Sequence, residues 1–397
     1  MKALVIAPQP FFSPRGTPLS VYYRTLVSAE NNINIDLLTY GEGMNVDIPN
    51  VRIIRIPRFG LFGNVRVGPS YLKLFLDGFI LLWTIYLLIR NRYNFVHAHE
   101  EAIFFLVFLK PIFRFKLIYD MHSSLPQQLT NFQFYESGFL WRIFKKLEDK
   151  GLHDADAIIT ICPDLADYVN SIVRDREKHL LIENSIFDPV KLKPKNKSIT
   201  RTGQDNQPCE QPVNIPEGKR LVVYAGTLEP YQGIDILIES FKLVIQTIPS
   251  AYLLIVGGSN DQVAFFSKLA KAQGVDQYTM FTGRVTQSLA KHYCSLASVQ
   301  MSPRSSGTNT PLKIYEQLAS GTPVVATNIY SHTQVLNSDV AFLVEPEPVD
   351  MAKGISTALR EEERAEKVAT NAKKLYLNKY SRPVYENKMQ RLLKLIE

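Results

Sequence analysis

The most constraining feature of this sequence is an alternation of short β-branched runs with longer amphipathic runs, which occurs twice along the chain. Such alternation predicts α/β units in which a parallel sheet has helices on both faces. In the first half we predict strands at Ala3–Ala7, Ile35–Thr39, Val51–Ile56, Phe95–His99, Leu117–Asp120, Ala157–Ile161 and Leu180–Glu183. In the second half we predict strands at Leu221–Ala225, Ala251–Val256, Met280–Thr282, Val299–Ser302, Pro323–Ala326 and Ala341–Val344.

Helices are predicted in the longer runs between these strands. In order they are Pro18–Glu30, Pro69–Arg90, Gly138–His153, Ile234–Thr247, Asp261–Gln273, Ser288–Ser295, Pro311–Ser320 and Asp350–Leu359. The last residues, 361–397, are also helical in pattern, with a break near Ser381.

A polar stretch at residues 189–219, rich in Pro, Lys, Asn and Gln, separates the two halves and is typical of a linker. We therefore predict a domain at 1–188, a linker at 189–219, a second domain at 220–376 and a last segment at 377–397. Both domains would be doubly wound and Rossmann-like, and they would face each other across a cleft. Ligands of such sheets bind at the carboxyl ends of the strands.

Charge and cysteine content exclude several classes of protein. The formal net charge is +7, which suits phosphorylated substrates or an anionic membrane surface. Nucleic acid is not expected as a partner, because no basic run resembles a nucleic-acid-binding tail. Three cysteines without metal-ligand spacing argue against a disulfide framework and a structural zinc site. A reducing, cytoplasmic location fits best.

The segment Tyr71–Ile89 is almost wholly apolar, but its uncharged part, Phe79–Ile89, is half the length of about 20 residues that a spanning helix needs. We expect a core helix or an interfacial helix. The loop before it, Arg58–Arg66, mixes aromatic and basic residues. This surface could rest on the inner face of an anionic bilayer and admit a lipid-linked acceptor, or it could cover an ordinary core helix.

Two segments of the first half carry groups suited to a site. Gly16 follows the first strand and precedes a helix, so backbone N–H groups there could meet an anionic ligand, or the segment is an ordinary turn. His97 and His99 are two residues apart on a strand and face the same side, but a metal site there lacks a convincing third ligand. His122 follows the next strand and is better placed for a cleft.

The second half contains the richest segment, Pro303–Gly321. Thr310 would cap a helix whose first turn contains Pro311, so the positive end of the helix would face a loop of small residues. That combination suits a diphosphate. Lys313 and Glu316 are neighbours on one helix face, and the alternative is that they form a surface ion pair. A glycine-containing turn, Tyr224–Ile234, would form the opposite wall of the pocket or simply connect two elements.

Together these segments resemble the retaining glycosyltransferases of family 4, which have the GT-B fold. The resemblance is carried by Pro303–Gly321 with the following Thr322–Ala326, by Val96–His99 and by Tyr119–His122. It implies that the first domain binds the acceptor, that the second binds a nucleotide sugar, and that the final helix crosses back to the first domain. It also implies that Glu316 contacts the ribose and His122 the donor sugar. Taking the segments and the resemblance together, we predict as donor-binding residues Gly16, Gly226, Thr227, Gln232, Arg284, Val285, Arg304, Thr308, Asn309, Thr310, Pro311, Lys313 and Glu316.

The sequence departs from the family pattern at three charged positions. Thr308 stands where the family has its first glutamate, and Thr227 and Gln232 stand where two diphosphate-binding cations are common. Losing an opposite charge about 4 Å away costs roughly 4 kcal/mol at an effective dielectric constant of about 20. We therefore hypothesise that three other groups replace those cations, namely Arg304, Lys313 and the N-terminus of the helix at Pro311.

The resemblance implies transfer with retention, without a required metal or cofactor, from a nucleotide sugar to a glycan or lipid-linked acceptor. Cell-surface polysaccharide or glycolipid synthesis is the expected setting. Three alternatives remain: a GT-B sugar-nucleotide epimerase, a phosphorylase-like enzyme, and a nucleotide-sugar-binding protein with little catalysis.

Overall fold

The structure is a computed structural model that describes residues 1–13, 16–58, 71–124, 139–184, 187, 190 and 213–397. The predicted Arg58–Arg66 loop beyond Arg58, the neighbours Pro14 and Arg15 of Gly16, and most of the predicted linker lie outside these residues. The chain forms two units. One comprises Met1–Asn196 with Arg382–Glu397, and the other comprises Lys197–Ser381.

The first unit is built on a seven-stranded sheet whose neighbouring strands are all parallel. Strands β1 to β7 are Lys2–Ala7, Asn34–Thr39, Val51–Arg55, Phe95–His99, Lys116–Met121, Ala157–Thr160 and His179–Leu181. Their spatial order is β3-β2-β1-β4-β5-β6-β7, so the order reverses between β1 and β4. The carboxyl ends of β1, β4 and β5 therefore bring Gly16, His99 and His122 to one edge of the sheet.

Helices pack on the sheet of this first unit. Helices α1 to α5 are Gly16–Glu30, Tyr71–Arg90, Ile103–Phe113, Phe139–Asp154 and Pro163–Ile172. Neither α3 nor α5 was predicted from the sequence. The run of α3 is apolar throughout and shows no polar face that would separate a helix from a buried strand.

The second unit is built on a six-stranded parallel sheet. Strands β8 to β13 are Arg220–Ala225, Ala251–Val256, Thr279–Gly283, Val299–Ser302, Val324–Thr327 and Phe342–Val344. Helices α6 to α12 are Ile234–Thr247, Asn260–Ala272, Gln287–Ser295, Leu312–Ser320, Tyr330–Thr333, Pro348–Arg360 and Glu362–Lys379. The spatial order is β10-β9-β8-β11-β12-β13, so the order reverses between β8 and β11. The predicted strands are thus confirmed to within two residues at their ends.

The last helix, α13 (Arg382–Ile396), follows the break that the sequence indicates near Ser381 and belongs to the first unit. Three contacts hold it there. The Arg382 guanidinium pairs with Glu30 of α1 at 2.8 Å, Lys388 pairs with Glu183 at 2.5 Å, and the Tyr385 hydroxyl accepts a hydrogen bond from Arg24 at 2.7 Å.

Helix α2 is less buried than an ordinary core helix. Within the part of the chain that the structure describes, it is the one helix long and apolar enough to cross a membrane, judged by length and composition. Its window Leu72–Arg90 has a mean hydropathy of 1.9, and 28% of it is buried. Large apolar side chains are exposed on α2 and on its neighbour α3, namely Leu74, Phe75, Leu82, Tyr86, Ile89, Phe108 and Ile112.

Candidate functional site

Two loops meet at the point where strand order reverses in the second unit. One follows β8 and the other follows β11, and these strands are neighbours. Gly233 has a φ of +67°, and a Cβ there would lie 2.0 Å from the carbonyl oxygen of Pro303. The backbone N–H of Ser305 also donates to the carbonyl of Tyr231 at 3.0 Å. Position 233 therefore requires glycine, because the two loops are in direct contact.

Lys313, the second residue of α9, extends to the β8 loop. Its Nζ donates to Oε1 of Gln232 at 3.2 Å and lies 4.2 Å from the ring centroid of Tyr224. Burial, together with the charge of Arg304, lowers the pKa of the Lys313 ammonium to about 7. No ion pair joins Lys313 to Glu316 in the described residues. The surface ion pair considered as an alternative is therefore wrong, because Lys313 points to the opposite loop.

Arg304 is held by its own loop. Its Nε donates to the carbonyl of Ser306 at 2.6 Å, and its Nη1 donates to the carbonyl of Asn309 at 3.1 Å. The guanidinium carbon lies 5.1 Å from the ring centroid of Tyr231. Gly307 has a φ of +125°, and a Cβ there would come within 2.2 Å of the guanidinium. The loop thus folds around Arg304, which is a role that sequence reasoning missed.

The start of α9 differs from the prediction. We expected Thr310 to cap the helix and Pro311 to lie in its first turn, but the helix begins at Leu312 and Pro311 occupies the capping position. Pro311 has an extended ψ of 136°, so no side chain caps the helix. The hydroxyl of Thr310 is buried and has no hydrogen-bond partner among the described residues. The start of α9 therefore lacks a side-chain cap for its first N–H groups.

Charge at this site is unbalanced. Within the described ranges, neither Arg304 nor Lys313 forms an ion pair with a carboxylate. Both are half-buried, and burial lowers the pKa of each. Cations removed from water without a counter-charge are costly, and a helix N-terminus adds further positive potential. The arrangement is suited to an anion.

The other predicted donor-binding residues lie around this cluster or at the sheet edge. Glu316 is on α9 one turn beyond Lys313, and burial raises its pKa. The carbonyl of Thr227 accepts from the Tyr224 hydroxyl at 2.6 Å, and that of Thr308 accepts from Gln334 at 2.5 Å. The backbone N–H of Gly226 donates to Val256 at 3.0 Å. By contrast, Arg284 and Val285 follow the edge strand β10, two strands away from β8.

His332 is a further residue that the sequence did not single out. It is fully buried on α10, with Nε2 3.0 Å from the hydroxyl of Ser302 and Nδ1 2.9 Å from the carbonyl of Thr327. Burial lowers its pKa to about 4, so the ring is neutral at pH 7. It joins the ends of β11 and β12 beneath the loop. A lone histidine with no characteristic spacing gave no signal for this role.

A second cluster lies at the carboxyl edge of the first unit, around Asp120. Arg24 of α1 donates from Nε to Oδ2 of Asp120 at 3.0 Å and from Nη2 to the carbonyl of Ile182 at 2.6 Å. His97 Nε2 lies 3.2 Å from the same carboxylate oxygen. Burial alone would raise the pKa of Asp120, but the charge of Arg24 and the neighbouring histidines outweigh burial and hold it well below its usual value. The carboxylate is therefore ionised.

His97 and His99 face the same side of β4, as predicted, with ring centroids 4.5 Å apart. Ligand atoms of His97, His99 and Asp120 lie within 4.8 Å of one another, so Asp120 supplies the third group that the sequence appeared to lack for a metal. However, Arg24 already donates to that carboxylate. The cluster is explained as a hydrogen-bonded network. That the activity requires no metal stays a prediction.

His122 belongs to this network rather than to an open surface, since it is 3% exposed. Its Nε2 lies 3.1 Å from Nδ1 of His99 and 3.4 Å from Oδ1 of Asp120. Burial lowers its pKa to about 4, so the imidazole is neutral at pH 7, as the sequence suggested. Gly16, on the same edge, is the first residue of α1, has a φ of +35°, and would tolerate a Cβ without contact.

Comparison with known proteins identifies the family. Residues 205–375 match the family model described as Glycosyl transferases group 1, and residues 23–186 match the model of Glycosyltransferase Family 4. The group 1 model matches the second half of the chain and the family 4 model matches the first half, as the resemblance implies. Together the two models cover most of the chain, which belongs to the group 1 and family 4 glycosyltransferases.

Individual relatives agree with this assignment. The chain is 31% identical over 170 residues to the putative glycosyltransferase YtcC of Bacillus subtilis, which covers 40% of this chain and 41% of that protein. It is 28% identical over 137 residues to the phosphatidyl-myo-inositol mannosyltransferase of Mycobacterium tuberculosis, which covers 34% of this chain and 35% of the relative. The chain thus matches less than half the length of each of these two relatives.

Solved structures support the fold over the whole chain. The sucrose-phosphate synthase of Thermosynechococcus elongatus has a TM-score of 0.73 at 19% identity, covering 99% of this chain and 98% of its own. Anabaena Alr3699/HepE, solved in complex with UDP, has a TM-score of 0.69 at 15% identity, covering 99% and 100%. At this identity the likeness shows the fold alone, which is GT-B, with two parallel-sheet α/β units.

Proposed function

We propose that this protein is a glycosyltransferase that moves a sugar from a nucleotide-sugar donor to a glycan or lipid-linked acceptor. The observation that carries the proposal is the unbalanced positive cluster at the N-terminus of α9, formed by Arg304 and Lys313. A diphosphate supplies the negative charge that these described residues lack. The bound UDP of Anabaena HepE supports a nucleotide donor.

The proposed acceptor is a glycan or a lipid-linked glycan in cell-surface polysaccharide or glycolipid synthesis. This is supported by the resemblance to an enzyme named for phosphatidyl-myo-inositol. It is also supported by the exposed apolar side chains of α2 and α3. Exposed cations lie at the ends of these helices and just beyond them, namely Arg90, Arg92, Arg114 and Lys116.

Apolar and basic groups together favour the inner face of an anionic membrane, in a cytoplasmic protein. Flotation with anionic and with neutral liposomes tests this location. We expect the protein to rise with anionic vesicles, and recovery in the bottom fraction with both lipids would reject the membrane part of the proposal.

For the mechanism we propose retention of anomeric configuration without a metal ion. Placed donors would stabilise the departing diphosphate and the positive charge on the sugar, so no dedicated base is required. Glu316 would hold the ribose. The anomeric coupling constant of the product, followed by NMR in excess chelator, tests both points.

The decisive test uses Glu316→Ala with a panel of UDP-, GDP- and ADP-sugars. Loss of a hydrogen bond to a charged group predicts a drop of about 10- to 100-fold in kcat/KM for donor hydrolysis or transfer. Glu366→Ala, an exposed glutamate on α12, is the matched control and should be unchanged.

Other outcomes distinguish the alternatives. An isomerised donor formed without acceptor would indicate an epimerase, and turnover that requires inorganic phosphate would indicate a phosphorylase-like enzyme. Binding of nucleotide sugars without any turnover would indicate a binding protein and reject the proposed reaction.

A further inference from the structure

The two cations at the start of α9 are held differently. Two backbone carbonyls of the loop 304–309 accept from the Arg304 guanidinium, which is thereby committed to the shape of that loop. The Lys313 ammonium donates only to the Gln232 carboxamide among the described residues and otherwise lies over the Tyr224 ring. An ammonium has three donors and Lys313 uses one of them, so two remain for a ligand, whereas the two bonds that Arg304 makes fix its guanidinium to the backbone of its own loop.

We propose that Lys313 is the cation that binds the donor diphosphate, and that it takes up a proton as the diphosphate arrives. Arg304 shapes the loop. This inference rests on the proposed function and narrows the two candidate cations to one, a lysine that reaches from α9 to the β8 loop.

Geometry places the ammonium between the two loops rather than on the outside of the helix. The distance of 3.2 Å to Gln232 Oε1 brings Nζ to the β8 loop, although Lys313 is on α9. The buried hydroxyl of Thr310, unpartnered in the described chain, lies just before the same helix. A phosphate at this end of α9 would meet three kinds of donor, which are the ammonium, the hydroxyl and the free N–H groups of the first turn.

The groups that face Lys313 explain why the pKa of its ammonium is lowered. Burial first, and the charge of Arg304 second, lower its pKa to about 7. None of its other neighbours provides a firm negative charge. Burial raises the pKa of the Cys294 thiol to about 11, raises that of the Tyr224 phenol further, and lowers that of His332 to about 4.

Glu316, one turn along α9, has its pKa raised by burial, and its opposing charge is Lys291. A diphosphate would therefore be the nearest strong anion for Lys313. Its arrival should restore the pKa of the ammonium toward the usual value and draw a proton from solution.

The test is calorimetry with UDP, GDP and ADP at pH 8, in two buffers that differ in ionisation enthalpy. The wild-type protein should take up roughly 0.9 proton on binding its diphosphate, since a group with a pKa of about 7 is mostly neutral at pH 8. Lys313→Gln should take up none and lose about 10- to 100-fold in diphosphate affinity. Its affinity for the matching nucleoside, measured by competition, should be unchanged.

Controls separate a charge effect from a structural one. Lys268→Gln changes an exposed lysine on α7 and should leave both affinity and proton uptake unaltered. The exchange variant, Lys313→Gln with Gln232→Lys, returns an ammonium to the same point, because the two side chains touch. It should recover diphosphate affinity to within about threefold of wild type, as expected for two residues that act on one contact.

Several results would overturn the inference. An unchanged diphosphate affinity in Lys313→Gln would do so, as would equal proton uptake in wild type and variant. A folded exchange variant that still binds weakly would show that the ammonium is not the binding group. If no diphosphate bound the wild-type protein, the proposed function itself would fail, whereas tight binding indifferent to Lys313 would reject this inference alone.

Discussion

The two units collect buried charge in opposite ways. In the first, the Asp120 carboxylate, with Arg24 and three histidines around it, is closed off from solvent with its charge matched. In the second, Arg304 and Lys313 approach each other without a carboxylate partner in the part of the chain described. One cluster is neutralised by the protein itself, and the other is left positive.

This difference teaches how to separate a structural cluster from a binding site. Removing one member of a complete buried ion pair leaves a costly bare charge. A cluster that lacks its counter-charge gains free energy when a ligand supplies it. Perturbed pKa values occur in both clusters, so the sign of the missing charge, rather than the size of any shift, identifies the ligand site.

The largest effect should follow from breaking the closed cluster. Asp120→Asn leaves Arg24 buried without its counter-charge, so the free energy of unfolding should fall by about 3–5 kcal/mol. Both tryptophans of the chain, Trp83 and Trp141, lie in the first unit, so their fluorescence in urea reports on this unit.

Two further variants serve as controls for this measurement. Asp167→Asn, an exposed aspartate on α5, should change stability by less than about 0.5 kcal/mol. Replacing both partners, by Arg24→Met with Asp120→Leu, should recover part of the loss, since an apolar pair leaves no bare charge. If Asp120→Asn were as stable as Asp167→Asn, the comparison between the two units would collapse.

An intermediate effect should appear on acidification, because each unit keeps a buried neutral histidine. The pKa of His122 and that of His332 are about 4 in the folded protein, below the usual value. Between that usual value of about 6.5 and pH 4 the unfolded chain binds more protons than the folded one, so stability falls as pH falls. The loss should reach about 3 kcal/mol per histidine.

The two histidines can be measured separately. Tryptophan fluorescence follows the first unit, and circular dichroism follows both. His332→Gln should flatten the acid dependence of the circular dichroism transition and leave the fluorescence transition unaltered. A stability that stays constant from pH 6.5 to 4.5 in both signals would contradict the neutral state of these rings.

Much of the fold was accessible from sequence because strands of a parallel sheet are buried on both faces. They form short continuous apolar runs, such as Ala251–Val256, whose observed bounds match the prediction. The start of α9 was misplaced by one residue, since a proline can sit inside a helix or at its cap, and local sequence does not decide which.

The site was accessible only in part, because its key contacts join residues far apart in the chain. Arg24 and Asp120 are 96 positions apart, and Lys313 and Gln232 are 81 positions apart. Sequence indicated that Lys313 could replace a missing cation. It gave no sign that Arg304 would be held by its own loop, because that depends on the backbone path around Gly307.

The smallest effect, and the sharpest contrast, concerns removing a cation from each cluster in the ligand-free protein. Lys313→Met keeps the apolar stem and deletes an ammonium that has no counter-charge, so stability should stay within about 1 kcal/mol of wild type or rise. Arg24→Met deletes the guanidinium that pairs with the Asp120 carboxylate, so the free energy of unfolding should fall by about 3–5 kcal/mol. Urea unfolding followed by circular dichroism measures both.

The pH dependence of the free energy of unfolding shows whether the buried ammonium causes the effect of Lys313→Met. The pKa of Lys313 is lowered to about 7 in the folded protein, so above pH 7 and up to its usual value the unfolded chain holds more protons. Wild-type stability should therefore gain a contribution as pH rises from 7 toward 10, and Lys313→Met should lose that gain. If instead Lys313→Met were as destabilising as Arg24→Met at every pH, the ammonium would be satisfied within the protein, and the second cluster would be as closed as the first.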